Sequence, residues 1–356
     1  MTDMIRTTPE ELGLPHAFPA PARRDWRIGM IGFGRIASYA HAPAYRRAGW
    51  EIVAVADPDP AARKAATDEF GIATVYEDYR DLLDDDRVQI VDLLTHPSFR
   101  EEAVLTAVDA QKPVITEKPL GPDLETCLRM VETAERAGIP LAVHQNYRWR
   151  PANFLAYQAV RHGLAGDPFF VGFEVFGNQD VDLAQHPFYA KAADFITLQW
   201  NTHPVDLTAH LAGRLALRTL AVTARMPGQN FVSDNLICAL TDFGAGLTGH
   251  ILHHELLRNP RREVRCRVDG NQGSVTFNFD SHLVIESELL GDQPRSVEVS
   301  YAQYEDSFAG TMGDFLLSIE EGREPSVSGR QNLATIRTVL AQAKSAKNGG
   351  MWVECE

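Results

Sequence analysis

The sequence predicts two domains: an α/β domain with a doubly wound parallel sheet, then an α+β domain built on a large open, mainly antiparallel sheet. Three observations carry this prediction. From Trp26 to Val143, short apolar runs alternate with helical segments at the spacing of βαβ units. The first of those runs enters a glycine-rich turn, and the second ends in a carboxylate. Beyond about Tyr147 the texture changes to stretches with the period-two alternation of antiparallel strands. A chain of 356 residues also exceeds what one small core serves, so two domains are expected on length alone.

In chain order, residues 1–25 are proline-rich, lack the apolar core of a secretory signal, and read as an extension with little structure of its own. Residues 26–147 form the first domain. Arg27–Ile31 is a strand running into Gly32–Ala37, a helical segment then follows to about Gly49, and Glu51–Asp57 is a second strand. Helix Pro60–Phe70, strand Val88–Leu94, helix Arg100–Ala110, strand Pro113–Thr116, helix Leu124–Ala137 and strand Pro140–Val143 continue the alternation. Residues 148–356 form the second domain. Helices are expected at Pro151–His162 and Pro204–Leu211. Strands are expected at Phe169–Phe176, Leu217–Ala224, Asn235–Asp242, Leu247–Leu256, Glu263–Val268, Ser274–Phe279 and Leu283–Leu289. Helices Ala309–Glu321 and Gly329–Lys347 close the chain.

Composition excludes several classes of function. A net charge of −14 leaves no basic surplus to neutralise phosphates, which argues against a nucleic-acid partner. No stretch approaches the roughly 18 apolar residues of a membrane-spanning helix. The four cysteines, Cys127, Cys238, Cys266 and Cys355, form no Cys-x-x-Cys pair and read as reduced thiols of a cytoplasmic protein. The acidic run Asp84-Asp85-Asp86 reads as a solvated turn.

Gly32-Phe33-Gly34-Arg35-Ile36-Ala37 follows the first strand and opens a helix, the context in which such a pattern carries meaning. Gly32 permits the tight turn, Gly34 lets the backbone approach a pyrophosphate, and Ala37 is small enough for helix–strand packing. The phosphates would lie at the helix N-terminus beside Arg35 and Ile36, where unpaired N–H groups favour anions. Asp57, twenty residues after Ala37, is placed to accept hydrogen bonds from an adenine ribose diol and to repel a 2′-phosphate. NAD is therefore expected over NADP. A coincidental glycine turn is the competing explanation, and the joint presence of strand, turn, helix and acid weighs against it.

The strand Pro113–Thr116 runs directly into Glu117-Lys118-Pro119. Ligands of doubly wound sheets bind beyond the carboxyl ends of the strands, where Lys118 would meet a nicotinamide ring and a substrate hydroxyl. Partial burial beside a cationic ring lowers a lysine's pKa, which suits it to proton transfer or to holding an alkoxide.

Together these residues resemble the glucose–fructose oxidoreductase / inositol dehydrogenase (Gfo/Idh/MocA) family. The resemblance rests on Gly32-x-Gly34-x-x-Ala37, Ala56-Asp57-Pro58-Asp59-Pro60, Thr95-His96-Pro97-Ser98 and Glu117-Lys118-Pro119. Asn146-Tyr147-Arg148-Trp149-Arg150-Pro151 and a later segment carrying His203 and Asp206 extend it from about Arg27 to the C-terminus. It implies a Rossmann NAD-binding domain, with Thr95, Glu117 and Lys118 at the cofactor and a cis Lys118–Pro119 peptide. It also implies pyridine-nucleotide-dependent oxidation or reduction of sugars, polyols and related hydroxy compounds. The C-terminal sheet would mediate a homodimer or homotetramer.

The family's usual catalytic set is the lysine plus an Asp-x-x-x-His element. Lys118 and His203 match it, but the residue four places before His203 is Gln199. An amide orients a hydroxyl but does not titrate, so His203 with Lys118 is expected to carry the acid/base work while Gln199 positions substrate. Pro204 belongs in the first turn of a helix, so the helix is expected to start near Thr202 as N-cap. The helix dipole would then keep His203 neutral, with Asp206 on the same face.

Asn146, Tyr147, Arg148 and Trp149 are candidate substrate contacts, through hydroxyl hydrogen bonds and a flat stacking face. The loop Asn178–Asp194, with His186, Phe188, Tyr189 and Lys191, is another. Packing is the competing explanation for each aromatic. His250, His253, His254 and Glu255 suggest a metal at first sight. Neighbouring strand residues point to opposite faces, however, so they read as sheet-surface histidines and no metal is expected. Arg100 stands where many relatives have a histidine and is expected to border the cofactor.

The sequence is therefore read as an NAD-dependent oxidoreductase that transfers a hydride between a secondary hydroxyl of a sugar, polyol or glycoside and nicotinamide. Two other readings stay open. One is an NAD-retaining glycosidase that works by transient oxidation and elimination; the other is a nucleotide-binding sensor without chemistry.

Overall fold

The computed structural model describes residues 4–182, 191–258, 262–279, 281–299 and 303–356. It opens with a short strand, β1 (Ile5–Thr7), which belongs to the second of two units. The first unit comprises residues 18–149 and 303–333. Its strands are β2 (Arg27–Ile31), β3 (Glu51–Ala56), β4 (Val75–Tyr76), β5 (Ile90–Leu93), β6 (Val114–Thr116) and β7 (Leu141–Val143). They form a six-stranded sheet in the order β4-β3-β2-β5-β6-β7, with every pair parallel. The order reverses between β2 and β5, and that switch point is where a doubly wound sheet opens a ligand crevice.

The crossover helices begin where side chains can cap them. Asp59, His96 and Asp123 accept from the N–H groups of Ala61, Ser98 and Thr126 at the starts of Pro60–Phe70, Pro97–Asp109 and Leu124–Ala137. Pro60 and Pro97 occupy first-turn positions, where the missing N–H costs nothing. The Pro97 helix therefore starts three residues earlier than the apolar pattern predicts.

Two segments lie elsewhere than the sequence reading put them. Helix Asp306–Glu321 packs in the first unit, its Phe308, Met312, Phe315 and Leu316 buried with Ile28, Met30, Ile90 and Ile115. Close approach explains two of its glycines. A Cβ on Gly310 would fall 2.7 Å from Cβ of Trp149, and one on Gly313 would fall 2.4 Å from the Pro19 carbonyl oxygen. The N-terminal residues, read as an unstructured extension, are also ordered into the fold. Glu320 accepts from the N–H groups of Ala22 and Arg23 and from the indole N–H of Trp26, at 2.7, 3.0 and 3.0 Å. Period-based reading cannot find such anchors, because proline-rich chain held by side chains has no periodicity.

The second unit is built from the chain up to Ala17, from Arg150 to Ala302, and from Ala334 onward. After β1 its strands are β8 (Pro168–Phe176), β9 (Arg218–Ala224), β10 (Leu236–Asp242), β11 (Thr248–His254) and β12 (Glu263–Gly270). The others are β13 (Gly273–Phe277), β14 (Leu283–Ser287), β15 (Arg295–Val297) and β16 (Val353–Glu354). They make a ten-stranded sheet ordered β1-β15-β14-β13-β12-β8-β11-β10-β9-β16. It is antiparallel except for the pairs β8–β11 and β1–β15. Alternation sets its faces: Val171, Phe173 and Val175 are buried, whereas Glu174 lies on the other side. Helices Pro151–Arg161 and Thr202–Ala212 pack on this sheet. No helix among the described residues is long and apolar enough to cross a membrane.

One sheet histidine departs from the surface reading. His253 is buried and its Nε2 lies 2.9 Å from Oε1 of the buried Glu255, while His254 sits half-buried against Phe176. The two do point to opposite faces, but only one of those faces is wet.

Glu320→Ala should leave the Ala22 and Arg23 N–H groups to water and the Trp26 indole N–H without its carboxylate, lowering stability by about 0.5–1.5 kcal/mol in urea denaturation. An unchanged midpoint would show that the N-terminal anchor is incidental.

Candidate functional site

Gly32 takes φ +91° and donates its N–H to the Ala56 carbonyl at 2.8 Å. A Cβ there would meet the backbone of Leu94 at 3.2 Å, so the turn requires glycine twice over. Gly34 differs: nothing lies within 4 Å of where its Cβ would be, so its backbone faces open space. The helix beyond begins with Ser38 donating to the Gly34 carbonyl at 3.1 Å, leaving the N–H groups of Arg35 and Ile36 at its N-terminus. Arg35 is exposed, and Ile36 packs on the core.

Asp57 also holds this turn. One carboxylate oxygen accepts the Phe33 N–H at 2.7 Å and the other the Asp59 N–H at 2.8 Å. Each oxygen keeps a further lone pair for a ribose hydroxyl. An open glycine backbone, a helix N-terminus and a half-buried carboxylate at the end of β3 fit NAD, and the carboxylate disfavours a 2′-phosphate.

Across the switch point, β6 delivers Glu117 and Lys118 beyond its carboxyl end. The Glu117 N–H donates to Leu93 at 3.0 Å, and Lys118–Pro119 is the cis peptide of this turn. Arg100, almost fully buried, clamps it from the side. Its guanidinium donates to the Thr95 carbonyl through Nε and Nη2 at 3.1 and 2.7 Å, and to the Pro119 carbonyl through Nη1. Arg100 thus ties the Thr95 loop to the lysine turn, a role the sequence could not reveal. Lys118 is half-buried, and burial pushes its amine down to about 8. The Glu117 carboxylate opposes that shift and the Arg100 charge adds to it.

Behind the lysine turn lies a buried polar cluster that the sequence reading missed. The helix after the glycine turn contains a π-helical turn, Ala37–His41, and continues as Ala42–Ala48. It presents His41 and Tyr45, four residues apart, to the sheet. Asp92 faces them from the middle of β5, and His144 follows β7. Asp92 Oδ2 accepts from the Tyr45 hydroxyl at 2.7 Å and His41 Nδ1 at 3.0 Å, and Oδ1 accepts from His144 Nε2 at 3.0 Å. His41 Nε2 donates to Glu117 Oε1 at 3.1 Å, and Glu117 Oε2 accepts the Lys118 N–H at 3.2 Å. Every carboxylate oxygen already receives a donor, so the group is a hydrogen-bonded chain.

The charges follow from this pairing. Burial alone would neutralise His41, but Asp92 and Glu117 outweigh it and hold the ring up to about 9. His144, facing one carboxylate, is pushed down by burial. Asp92 and Glu117 lie below the usual carboxylate range, their own burial overcome by the histidines. The signal available in the sequence was a lone aspartate inside the apolar run Ile90-Val91-Asp92-Leu93.

Asn146, Tyr147, Arg148 and Trp149 form a short helical turn in the same unit, and all four are buried. Asn146 donates to the Ser307 hydroxyl at 2.9 Å, Arg148 to the Ser326 carbonyl at 2.5 Å, and Trp149 meets Phe18 edge-on. The Asn146 and Arg148 contacts anchor the returning 303–333 segment.

Gln199 and His203 belong to the second unit. Gln199 is half-buried in a π-helical turn, Phe195–Trp200, and His203 is buried as the second residue of helix Thr202–Ala212. Thr202 is therefore not the N-cap. Asn201 precedes the helix with helical torsions, its N–H donates to Ile196 at 2.9 Å, and its amide bonds Gln342 at 2.6 Å. The helix therefore follows directly on the π-helical turn and not on an extended capping residue. Asp206 accepts from Thr335 Oγ1 at 3.3 Å. Of the loop candidates, Lys191 is exposed, and His186, Phe188 and Tyr189 lie outside the described residues.

Comparison with known proteins agrees with this geometry. Residues 26–145 match the model of an oxidoreductase family with an NAD-binding Rossmann fold. The chain is 36% identical over 331 residues to an inositol 2-dehydrogenase of Acidothermus cellulolyticus, covering 91% of this chain and 94% of that one. It is 29% identical over 346 residues to a D-apiose dehydrogenase of Paraburkholderia graminis, covering 92% and 89%. An oxidoreductase from Agrobacterium radiobacter, solved with NAD+, L-tartaric acid and magnesium, superposes with a TM-score of 0.86 at 26% identity, covering 93% and 98%.

The cluster predicts a pH-dependent stability. His41, raised from 6.5 to about 9, stabilises the fold fully below pH 6.5 and loses that contribution as pH rises through 9. Lys118, lowered to about 8, acts in the opposite sense above that pH, so the clean window is 6.5 to 8. Urea midpoints should fall across it in the wild type and fall less steeply in Asp92→Asn, where Glu117 is left as the carboxylate facing His41. Asp92→Ala, which strands its partners, should cost about 3–5 kcal/mol.

Proposed function

The chain belongs to the Gfo/Idh/MocA oxidoreductase family, and on that premise we propose that it oxidises a secondary hydroxyl of a sugar or polyol with NAD. The observation that carries this reading is Lys118, a half-buried amine of lowered pKa at the carboxyl end of β6, beside the switch point. Gly32, Gly34, Arg35, Ile36, Asp57 and Thr95 would hold NAD, which supplies the hydride acceptor. The hydroxyl O–H bond breaks towards His203, which takes the proton. With NAD bound, the carbinol C–H electron pair would pass as hydride to the cofactor, and a carbonyl would form. Lys118, as an ammonium, donates a hydrogen bond to the oxygen while it carries negative charge. Gln199 orients the neighbouring hydroxyl, since an amide can both donate and accept but cannot act as base.

Relatives named for inositol and D-apiose support a polyhydroxylated substrate. A cytoplasmic location and a homodimer or homotetramer joined through the large sheet belong to the same reading. In support, all four cysteines are free, and Val222 and Leu240 stand exposed on one face of β9 and β10. Light scattering should give a dimer or tetramer, and a monomeric mass would remove the assembly from the reading.

Steady-state NAD reduction across a panel of inositols, aldoses, anhydrosugars and glycosides tests the proposal. At least one polyol should be oxidised, and Lys118→Met and His203→Ala should each lower kcat by about 10²–10⁴. Free aglycone without NADH would instead establish the glycosidase reading. Tight NAD binding with no turnover of any compound would establish the sensor. Gln199→Asp adds a titrating group where the family's usual carboxylate stands, and should introduce a further ionisation into the acidic limb of the pH–rate profile. An unchanged limb would place Gln199 away from the reacting hydroxyl.

A further inference from the structure

We infer that His41 is a positioning residue for Lys118: a buried imidazolium that bridges Asp92 to Glu117 and so keeps the Glu117 carboxylate ionised beside the lysine turn. The inference rests on the reading of Lys118 as the group that meets the reacting oxygen. Its geometric basis is that both ring nitrogens of His41 face carboxylate oxygens, Nδ1 at 3.0 Å from Asp92 and Nε2 at 3.1 Å from Glu117. A neutral imidazole would turn a lone pair towards one of those anions in a site closed to solvent. The ring is 0% exposed and is walled by Phe308 at 4.4 Å and by His144 edge-on at 4.5 Å. It therefore cannot turn away from either carboxylate.

The direction of the effect follows from what faces each group. Around His41 stand Asp92, Glu117, Tyr45 and His144. Tyr45 stays neutral, because burial and Asp92 both push its hydroxyl upward. Glu117 is opposed by its burial and held ionised chiefly by His41, with smaller help from His144 and Lys118. Lys118 has burial and Arg100 pushing its amine down and the Glu117 carboxylate pushing it up. Removing the imidazolium leaves Glu117 a buried carboxyl without its main counter-charge, so it takes up a proton. The carboxylate charge that favours the Lys118 ammonium is then lost. His41 acts on Lys118 through Glu117, although it is not placed at the reacting atoms.

The test reads Lys118 directly and needs no turnover. In protein labelled with ¹³C at the lysine ε-carbons, the Lys118 resonance, assigned by its absence from Lys118→Met, should titrate near 8 in the wild type. In His41→Gln and in Glu117→Gln it should titrate lower by about one unit, and the double variant should match the single ones. Where a polyol is turned over, the alkaline limb of kcat should move down by the same amount in His41→Gln while its KM for NAD stays within about twofold. Glu117→Gln lies at the rim of the cluster and keeps the test valid if His41→Gln fails to fold. An unmoved Lys118 titration in a folded variant overturns the inference, as does additivity in the double variant. Shifted titrations without turnover of any polyol would sink the dehydrogenase reading alone. Turnover with an unmoved titration would sink only the role of His41.

Discussion

Two carboxylates and a histidine buried together in the core can exist only as a set. Taken singly, Asp92, Glu117 or His41 would each pay a large desolvation penalty, and removing one strands the others. Their mutual hydrogen bonds therefore fix the separation of the elements that carry them. The helix after the glycine turn supplies His41 and Tyr45, β5 supplies Asp92, the turn after β6 supplies Glu117, and the chain after β7 supplies His144. The glycine turn and the lysine turn are the two edges of the switch-point crevice. The cluster is the tie between them.

Two further devices fix the same crevice. Asp57 holds the glycine turn through Phe33, and Arg100 joins the Thr95 loop to the Pro119 carbonyl. Both are charged groups bonded to backbone atoms, an arrangement that sets loop geometry more firmly than side-chain pairs do. The consequence for chemistry is that Lys118 is desolvated in a rigid frame, with the Glu117 carboxylate and the Arg100 guanidinium acting on its proton affinity in opposite senses.

Much of this was legible in the sequence because the relevant signals are local. The βαβ alternation, the glycine turn, the acid ending β3 and the lysine turn after β6 each occupy a few consecutive residues, and the structure sets them around one switch point. What escaped was long-range. His41, Tyr45, Asp92, Glu117 and His144 are spread across the first domain, and no spacing rule joins them. Helix Asp306–Glu321 carries an ordinary apolar stripe, and nothing in its pattern says which core it will join. Strand β1 is short, and its partner β15 is distant in sequence. The start of the His203 helix was misplaced for a different reason: Thr202 is a good capping residue, but the preceding π turn already provides a hydrogen-bonded backbone.

If the chain is a dehydrogenase of polyhydroxylated substrates, a carbinol hydrogen of the substrate passes as hydride to nicotinamide C4. Incubating the protein with NAD and a substrate polyol whose carbon-bound hydrogens are all deuterium, then analysing the nicotinamide product, tests it most directly. The account predicts NADH carrying one deuterium at C4 together with a slowed kcat. Reduced cofactor without the label, or product formed with no reduced cofactor at any stage, would contradict it.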